Sequence, residues 1–211
     1  MKRFLLATLL ATIGVQANAT VIDFNTAADG VYFVPSITSN GFIVMPTQGG
    51  DYNIGSMSNF DGQYFAINGS VYLGSWSNSY NTTGVNLRSV DNATFSLQSF
   101  DFDNAYASSV LTGTLSRTST LTVTGFRADT TQVSQTFTNL GDITSWTTLN
   151  LGAGFTNLAS VSFTSTGDAR VRALYDNVVV NEPRSDVPEP ASIALIGFGL
   201  AGLAMVRRKK A

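Results

Sequence analysis

Residues Thr120 to Thr124 read Thr-Leu-Thr-Val-Thr, an alternation that suits an extended chain and no other regular structure. With a period of two, Leu121 and Val123 share one face and the three threonines share the other, whereas a helix would scatter both sets around its axis. The pattern returns at Val133 and Phe137, with Ser134 and Thr136 facing the other way, and again at Val161 and Phe163 ahead of a turn at Thr166-Gly167-Asp168. Around Phe95 the apolar phase moves from odd positions (Phe95, Leu97) to even ones (Phe100, Phe102), which predicts a bulge near Ser99. Further strands are expected at Val21 to Phe24, Gly41 to Met45, Tyr64 to Ile67, Arg170 to Leu174 and Val178 to Val180. Many short strands separated by turn residues predict an all-β fold, an antiparallel β-sandwich of jelly-roll-like form rather than a barrel.

Composition agrees. From Thr20 to Asp186, 44 of 167 residues are Ser or Thr, with 15 Gly, 15 Asn and no Lys, which favours strands joined by tight turns. Six Arg oppose 12 Asp and one Glu there, a net charge of −7 that disfavours nucleic acid, whose binding needs a basic face. The whole chain has no Cys and no His, so disulfides, thiol catalysis and Ser-His-Asp chemistry are excluded and the usual zinc ligands are missing.

Both ends have a different character. Lys2 and Arg3 precede an apolar run from Phe4 to Val15, and Ala17 and Ala19 supply the small residues of a cleavage site before Thr20, the order of a secretory signal peptide over residues 1–19 that signal peptidase removes. The sandwich is assigned to residues 20–180 and a linker to 181–187, at the start of a stretch from Asn181 to Pro190 that holds three prolines. Residues 188–211 then form an anchor: sixteen uncharged residues, Ala191 to Val206, closed by Arg207-Arg208-Lys209-Lys210. As a single transmembrane helix this run spans about 24 Å, workable in a thinned bilayer with the basic cluster on the cytoplasmic side. Gly197 to Gly202 matches G-x-G-x-x-G but lacks the strand–turn–helix setting of a dinucleotide site.

Pro188-Glu189-Pro190, the Gly-rich apolar segment and the Arg207-Arg208 cluster together resemble the PEP-CTERM sorting signal, also catalogued as an ice-binding-protein C-terminal domain. The resemblance implies export across the inner membrane of a Gram-negative bacterium, processing near Pro188 to Pro190 by an exosortase, and delivery to the cell surface or an extracellular polysaccharide matrix.

For the ectodomain the expected chemistry is binding rather than catalysis. Acid–base hydrolysis of glycosides uses paired carboxylates. Glu182 and Glu189, both glutamates, lie outside the sandwich, which leaves Asp101 and Asp103, expected as a solvent-facing stripe opposite the buried Phe100 and Phe102. Calcium is the metal that suits a chain with aspartates and carbonyls alone. Val21 to Phe24 and Tyr175 to Val178 resemble the terminal strands of jelly-roll carbohydrate-binding modules, and that resemblance implies a structural Ca²⁺ held by Asp23 and Asp176. A stacking platform for sugars is sought at Tyr72, Trp76 and Tyr80, three rings four residues apart and so on one strand face; the same rings could instead fill the core, and Trp146 is expected to be buried. The reading is an exported, non-enzymatic surface β-sandwich associating with exopolysaccharide, against an adhesive or structural envelope module that binds protein, an Asp-dependent hydrolase, or an ice binder, which the irregular Thr spacing disfavours.

Overall fold

The computed structural model describes residues 19–47, 52–57, 68–77, 81–104, 116–142, 145–167 and 171–181. Residues 1–18 of the expected signal peptide, 182–187 of the expected linker, the sorting segment, the expected strand at Tyr64 to Ile67 and Tyr80 all lie outside them, whereas Ala19 and Asn181 pair with each other in strands. Among the described residues there is no α-helix and none long and apolar enough to cross a membrane. The strands are β1 (Ala19–Ile22), β2 (Val31–Tyr32), β3 (Ile37–Ser39), β4 (Phe42–Pro46), β5 (Tyr52–Met57), β6 (Tyr72–Ser77), β7 (Thr82–Ser89), β8 (Ser96–Asp103), β9 (Ser116–Arg127), β10 (Gln132–Phe137), β11 (Thr147–Asn150), β12 (Leu158–Gly167) and β13 (Val171–Asn181).

They form two antiparallel sheets. Sheet A runs β2-β5-β6-β13-β8-β11, with β1 beside the C-terminal half of β13, and sheet B runs β3-β4-β7-β12-β9-β10. From β6 onward the chain keeps crossing between the sheets. Strand β9 itself crosses: Ser116 and Arg117 lie parallel to Val171 and Arg172 of sheet A, and the rest pairs with β10 and β12 in sheet B. At the crossing the buried Asn104 accepts from the Thr118 amide at 3.0 Å and donates to the Thr118 carbonyl at 3.0 Å and to the Leu140 carbonyl, so backbone groups that leave one ladder find partners before joining the other.

The core lies between the sheets. Sheet A contributes Ile54, Leu73, Phe100, Phe102 and Tyr175, and sheet B contributes Phe42, Val85, Leu87, Leu121, Val123, Val161 and Phe163. These are the inward members of the alternation expected at Leu121 and Val123. Phe100 meets Phe163 edge to face at 5.1 Å, and the Tyr175 hydroxyl shares a 3.0 Å hydrogen bond with Ser165 across the gap. Burial drives the Tyr175 hydroxyl well above its ordinary pKa, so it stays neutral as a polar tie within an apolar layer.

The expected bulge occurs. The β8–β13 register slips at Ser99 opposite Val179 and recovers at Leu97 opposite Val180. Asn177, at φ 46°, takes up the same shift on β13, where the inward set changes from Ala173 and Tyr175 to Val178 and Val180. The two strands expected at Arg170 to Leu174 and Val178 to Val180 are therefore one strand, β13. The intervening Asp176-Asn177 reads as a turn in the sequence because a bulge and a turn favour the same residues.

Candidate functional site

The outer face of sheet A gathers the chemistry. Trp76 on β6 stands opposite Asn53 on β5 and Arg172 on β13; Gly74 stands opposite Gly55 and Leu174; Asp101 on β8 stands opposite Asp176 on β13 and Thr148 on β11. Residues paired across strands point to one side of a sheet, so these side chains share the face turned away from the core.

An aromatic cluster occupies one half of this face. Tyr72, Trp76 and Leu174 are buried, with Tyr32 and Trp146 packed against them as a group separate from the sandwich core. Tyr72 lies 5.3 Å from Trp146, and Phe33 sets its ring edge-on to Trp76 at 5.5 Å and 84°. The Arg172 guanidinium lies 6.0 Å from the Trp76 ring centre, within cation–π range. Gly55 permits this approach. A Cβ there would meet the Val31 carbonyl at 2.5 Å, Trp76 at 3.1 Å and Tyr32 at 3.3 Å.

Tyr72 and Trp76 therefore share one strand face, as their spacing predicts, but they sit neither in the sandwich core nor open to solvent: their exposures are 0% and 7%. Trp146, expected to be buried, is half-buried at the margin of the cluster. The exposed ring is Phe33, at 67%, which sequence reasoning missed. It follows the two-residue strand β2 in a left-handed conformation, φ 57°, uncommon for a bulky residue. A single Phe in a short non-alternating stretch carries no periodic signal.

The other half is acidic. Asp103, expected to face solvent, is fully buried, and Asp101 is half-buried; the face is covered where an uncovered sheet would leave it wet. Asp101 Oδ1 accepts from the Thr148 hydroxyl at 2.6 Å and Oδ2 from Asn177 Nδ2 at 2.9 Å. Asp176 is fully buried, and its Oδ2 accepts from Asn68 Nδ2 at 2.6 Å and from the Ser70 hydroxyl at 3.0 Å. Its Oδ1 has no hydrogen-bond partner. Burial pushes the Asp176 carboxyl above its ordinary pKa of 3.8, with the Asp101 charge adding to the rise and hydrogen bonds from Asn68, the Asn177 backbone and Ser70 opposing it. The folded chain thus holds this proton more tightly than the unfolded one. Its stabilising effect is full below pH 3.8 and is lost as pH rises through the raised value. Asp91 and Asp129, exposed in turns, go the opposite way, lowered chiefly by the hydroxyls of Ser89 and Thr131.

Asp23 has a separate setting. The first and last strands do lie side by side, β1 along β13 from Ala19–Asn181 to Ile22–Val178. The Asp23 Oδ1, however, accepts from the Asn25 amide at 3.2 Å and from Asn40 Nδ2 at 3.3 Å and shares no hydrogen-bond partner with Asp176. Among the described residues no group of three or more acidic side chains is placed to hold a metal.

Residues 186–209 match the model of the PEP-CTERM protein-sorting motif. The chain thus carries that motif, which marks an exported protein sorted to the cell envelope and implies processing by an exosortase. No curated protein matches the chain. Among solved structures, a point mutant of CBM29-2, a family 29 carbohydrate-binding module, is similar over 79% of this chain and 92% of its own at 14% identity, with a TM-score of 0.44. The arabinose-bound MgGH51 α-L-arabinofuranosidase is similar over 77% of this chain at 15% identity and a TM-score of 0.44, and the CBM22-1–GH10 modules of Clostridium thermocellum xylanase Xyn10B with xylohexaose over 78% at 16% and 0.40. This chain covers 26% and 28% of those two enzyme chains. At such identities the ligand of this chain has to be argued from its own surface.

Proposed function

We propose that this protein is an exported, non-catalytic β-sandwich of jelly-roll type that holds extracellular polysaccharide on the outer face of sheet A. The observation that carries the reading is Phe33, a ring 67% exposed and braced edge-on by the buried Trp76. An isolated exposed Phe on a soluble domain is a liability, whereas one braced by a second ring is a preorganised contact for the apolar face of a pyranose. Half-buried Asn53 and Arg172 are the cross-strand partners of the Trp76 that braces it, and half-buried Tyr32 and Trp146 add apolar surface to the same cluster. The sorting motif supplies the setting, since an envelope-sorted protein meets polysaccharide where it is delivered.

In this reading signal peptidase cuts before Thr20, which spares the β1 pairs Thr20–Val180, Val21–Val179 and Ile22–Val178. The segment Ala191 to Val206 then holds the precursor in the inner membrane of a Gram-negative cell until exosortase acts near Pro188 to Pro190.

The test is affinity electrophoresis of the mature protein in gels containing the producing cell's own polysaccharide. Wild type should be retarded, and Phe33→Ala should run as in a blank gel while melting within a few degrees of wild type. Unretarded wild type would overturn the reading and leave a structural or protein-binding envelope module in its place.

A further inference from the structure

We propose that strand β10 is a pairing edge through which two copies of this chain join, sheet B to sheet B. Of the strands with a single ladder partner among the described residues, β2 has two residues, β3 three, β1 and β11 four each, and β10 six. An open edge offers its amides and carbonyls to any extended chain, and proteins that stay apart blunt such edges with lysine, proline, bulges or inward-pointing charges. Strand β10 carries none of these. It reads Gln-Val-Ser-Gln-Thr-Phe, and its register with β9 is unbroken over six pairs.

The backbone shows which groups are on offer. At the turn between β9 and β10 the Arg127 amide donates to the Thr131 carbonyl at 2.9 Å. In an antiparallel ladder every second pair is hydrogen-bonded, so Val133, Gln135 and Phe137 direct their amides and carbonyls to β9, while Gln132, Ser134 and Thr136 turn theirs to the open edge. Those three residues are exposed. The apolar layer also runs out here: Val133 and Phe137 pack against the core but stay half-buried, whereas Leu121 and Val123 beside them on β9 are fully buried.

Self-complementarity and charge favour a second copy as the occupant. Antiparallel pairing about a twofold axis at Ser134 sets Ser134 against its own counterpart and Gln132 of each copy against Thr136 of the other. All three edge residues then find backbone partners, and every one of these facing pairs is neutral. From Ser116 to Phe137, the span of β9 and β10, Arg117 and Arg127 stand against Asp129, a net charge of +1 in a domain of −7. Two copies thus meet where their mutual repulsion is least. The added strand covers the half-exposed Val133 and Phe137 and continues the outer hydroxyl rows of sheet B across the joint. A six-residue strand pair is a small interface, so the association is weak and concentration-dependent. On the polysaccharide reading the pair is bivalent, since each copy keeps its own Phe33 beside sheet A; the pairing itself does not rest on that reading.

The experiment is sedimentation velocity of the mature protein from low micromolar to near-millimolar concentration, over which wild type should pass from monomer to dimer. Ser134→Lys sets two like charges against each other at the axis and leaves the backbone bonds to β9 in place. It should weaken dimerisation at least about tenfold while melting within a few degrees of wild type. Ser134→Cys, in a chain with no other cysteine, should give a covalent dimer with a short bis-maleimide, and Thr164→Cys, exposed in the middle of sheet B, should not. If Ser134→Lys does not fold, the two cysteine variants decide. Three results would each overturn the proposal: wild type monomeric throughout, undiminished dimerisation in Ser134→Lys, or cross-linking of Thr164→Cys as complete as that of Ser134→Cys. Phe33→Ala should dimerise as wild type does, so failure here leaves the polysaccharide reading untouched.

Discussion

The two sheets present outer faces of opposite character, although both are laid down by strands of the same period. Outside sheet B, Thr122 lies between Thr136 and Thr164, Thr124 lies between Ser134 and Ser162, and Thr120 pairs with Thr166. These hydroxyls are exposed or half-exposed, and neighbours such as Thr122 and Thr136 bond one another at 3.2 Å. Outside sheet A, the equivalent positions are Tyr72, Trp76, Leu174 and Asp176, all buried. Sheet B is thus wet on one side, and the centre of sheet A is covered on both. An antiparallel sheet with one solvated face keeps a strict alternation, whereas a strand covered on both sides has no polar side to advertise. Strand β6 shows the second case: all six of its residues are buried.

The largest test of this contrast is Trp76→Ala. If the outer cluster of sheet A is a second packed layer, removing its central ring should cost about 3 to 5 kcal/mol, as in a true core. Chemical denaturation of the variant checks this, and a loss below about 1 kcal/mol would return Trp76 to the status of a surface ring. A smaller effect is expected at Gly55→Ala. The added Cβ would press on the Val31 carbonyl, which is backbone and cannot swing aside, so the change should destabilise by about 1 to 3 kcal/mol. It should also disturb near-ultraviolet circular dichroism, because Tyr32 and Trp76 must part. The smallest effect belongs to sheet B: Thr122→Val, on the wet face, should stay within about 0.5 kcal/mol of wild type and leave polysaccharide retardation unchanged. A large effect there would shift attention to the hydroxyl face.

Legibility followed the same divide. The alternation at Thr120 to Thr124 and the phase change at Ser99 were readable, since each depends on residues close in sequence, whereas Thr166 and Gly167, expected in a turn, continue strand β12. The signal from Tyr72 to Tyr80 was readable only as far as a shared face for the rings at 72 and 76. Which side of the sheet that face belongs to depends on the register of β6 with β13, partners about a hundred residues apart. Phe33 was invisible as a site residue, and the pairing of Asp101 with Asp176 was invisible too, for a related reason. Phe33 sits on a left-handed backbone that no periodic pattern encodes, and the two aspartates are cross-strand partners 75 positions apart.

The sequence by itself determined the all-β fold, the inward set of hydrophobic residues on sheet B, the bulge in β8 and the sorting motif at the C-terminus. Each follows from short-range chemistry, either alternation along an extended chain or a linear order of proline, apolar and basic residues. Only the tertiary structure decided that Trp76 is buried outside the core, that Phe33 is the ring left to solvent, and that Asp176 faces Asp101. Strand pairing fixes these, because a cross-strand ladder brings together side chains whose separation along the chain carries no local signal, and one residue of slip would exchange the faces.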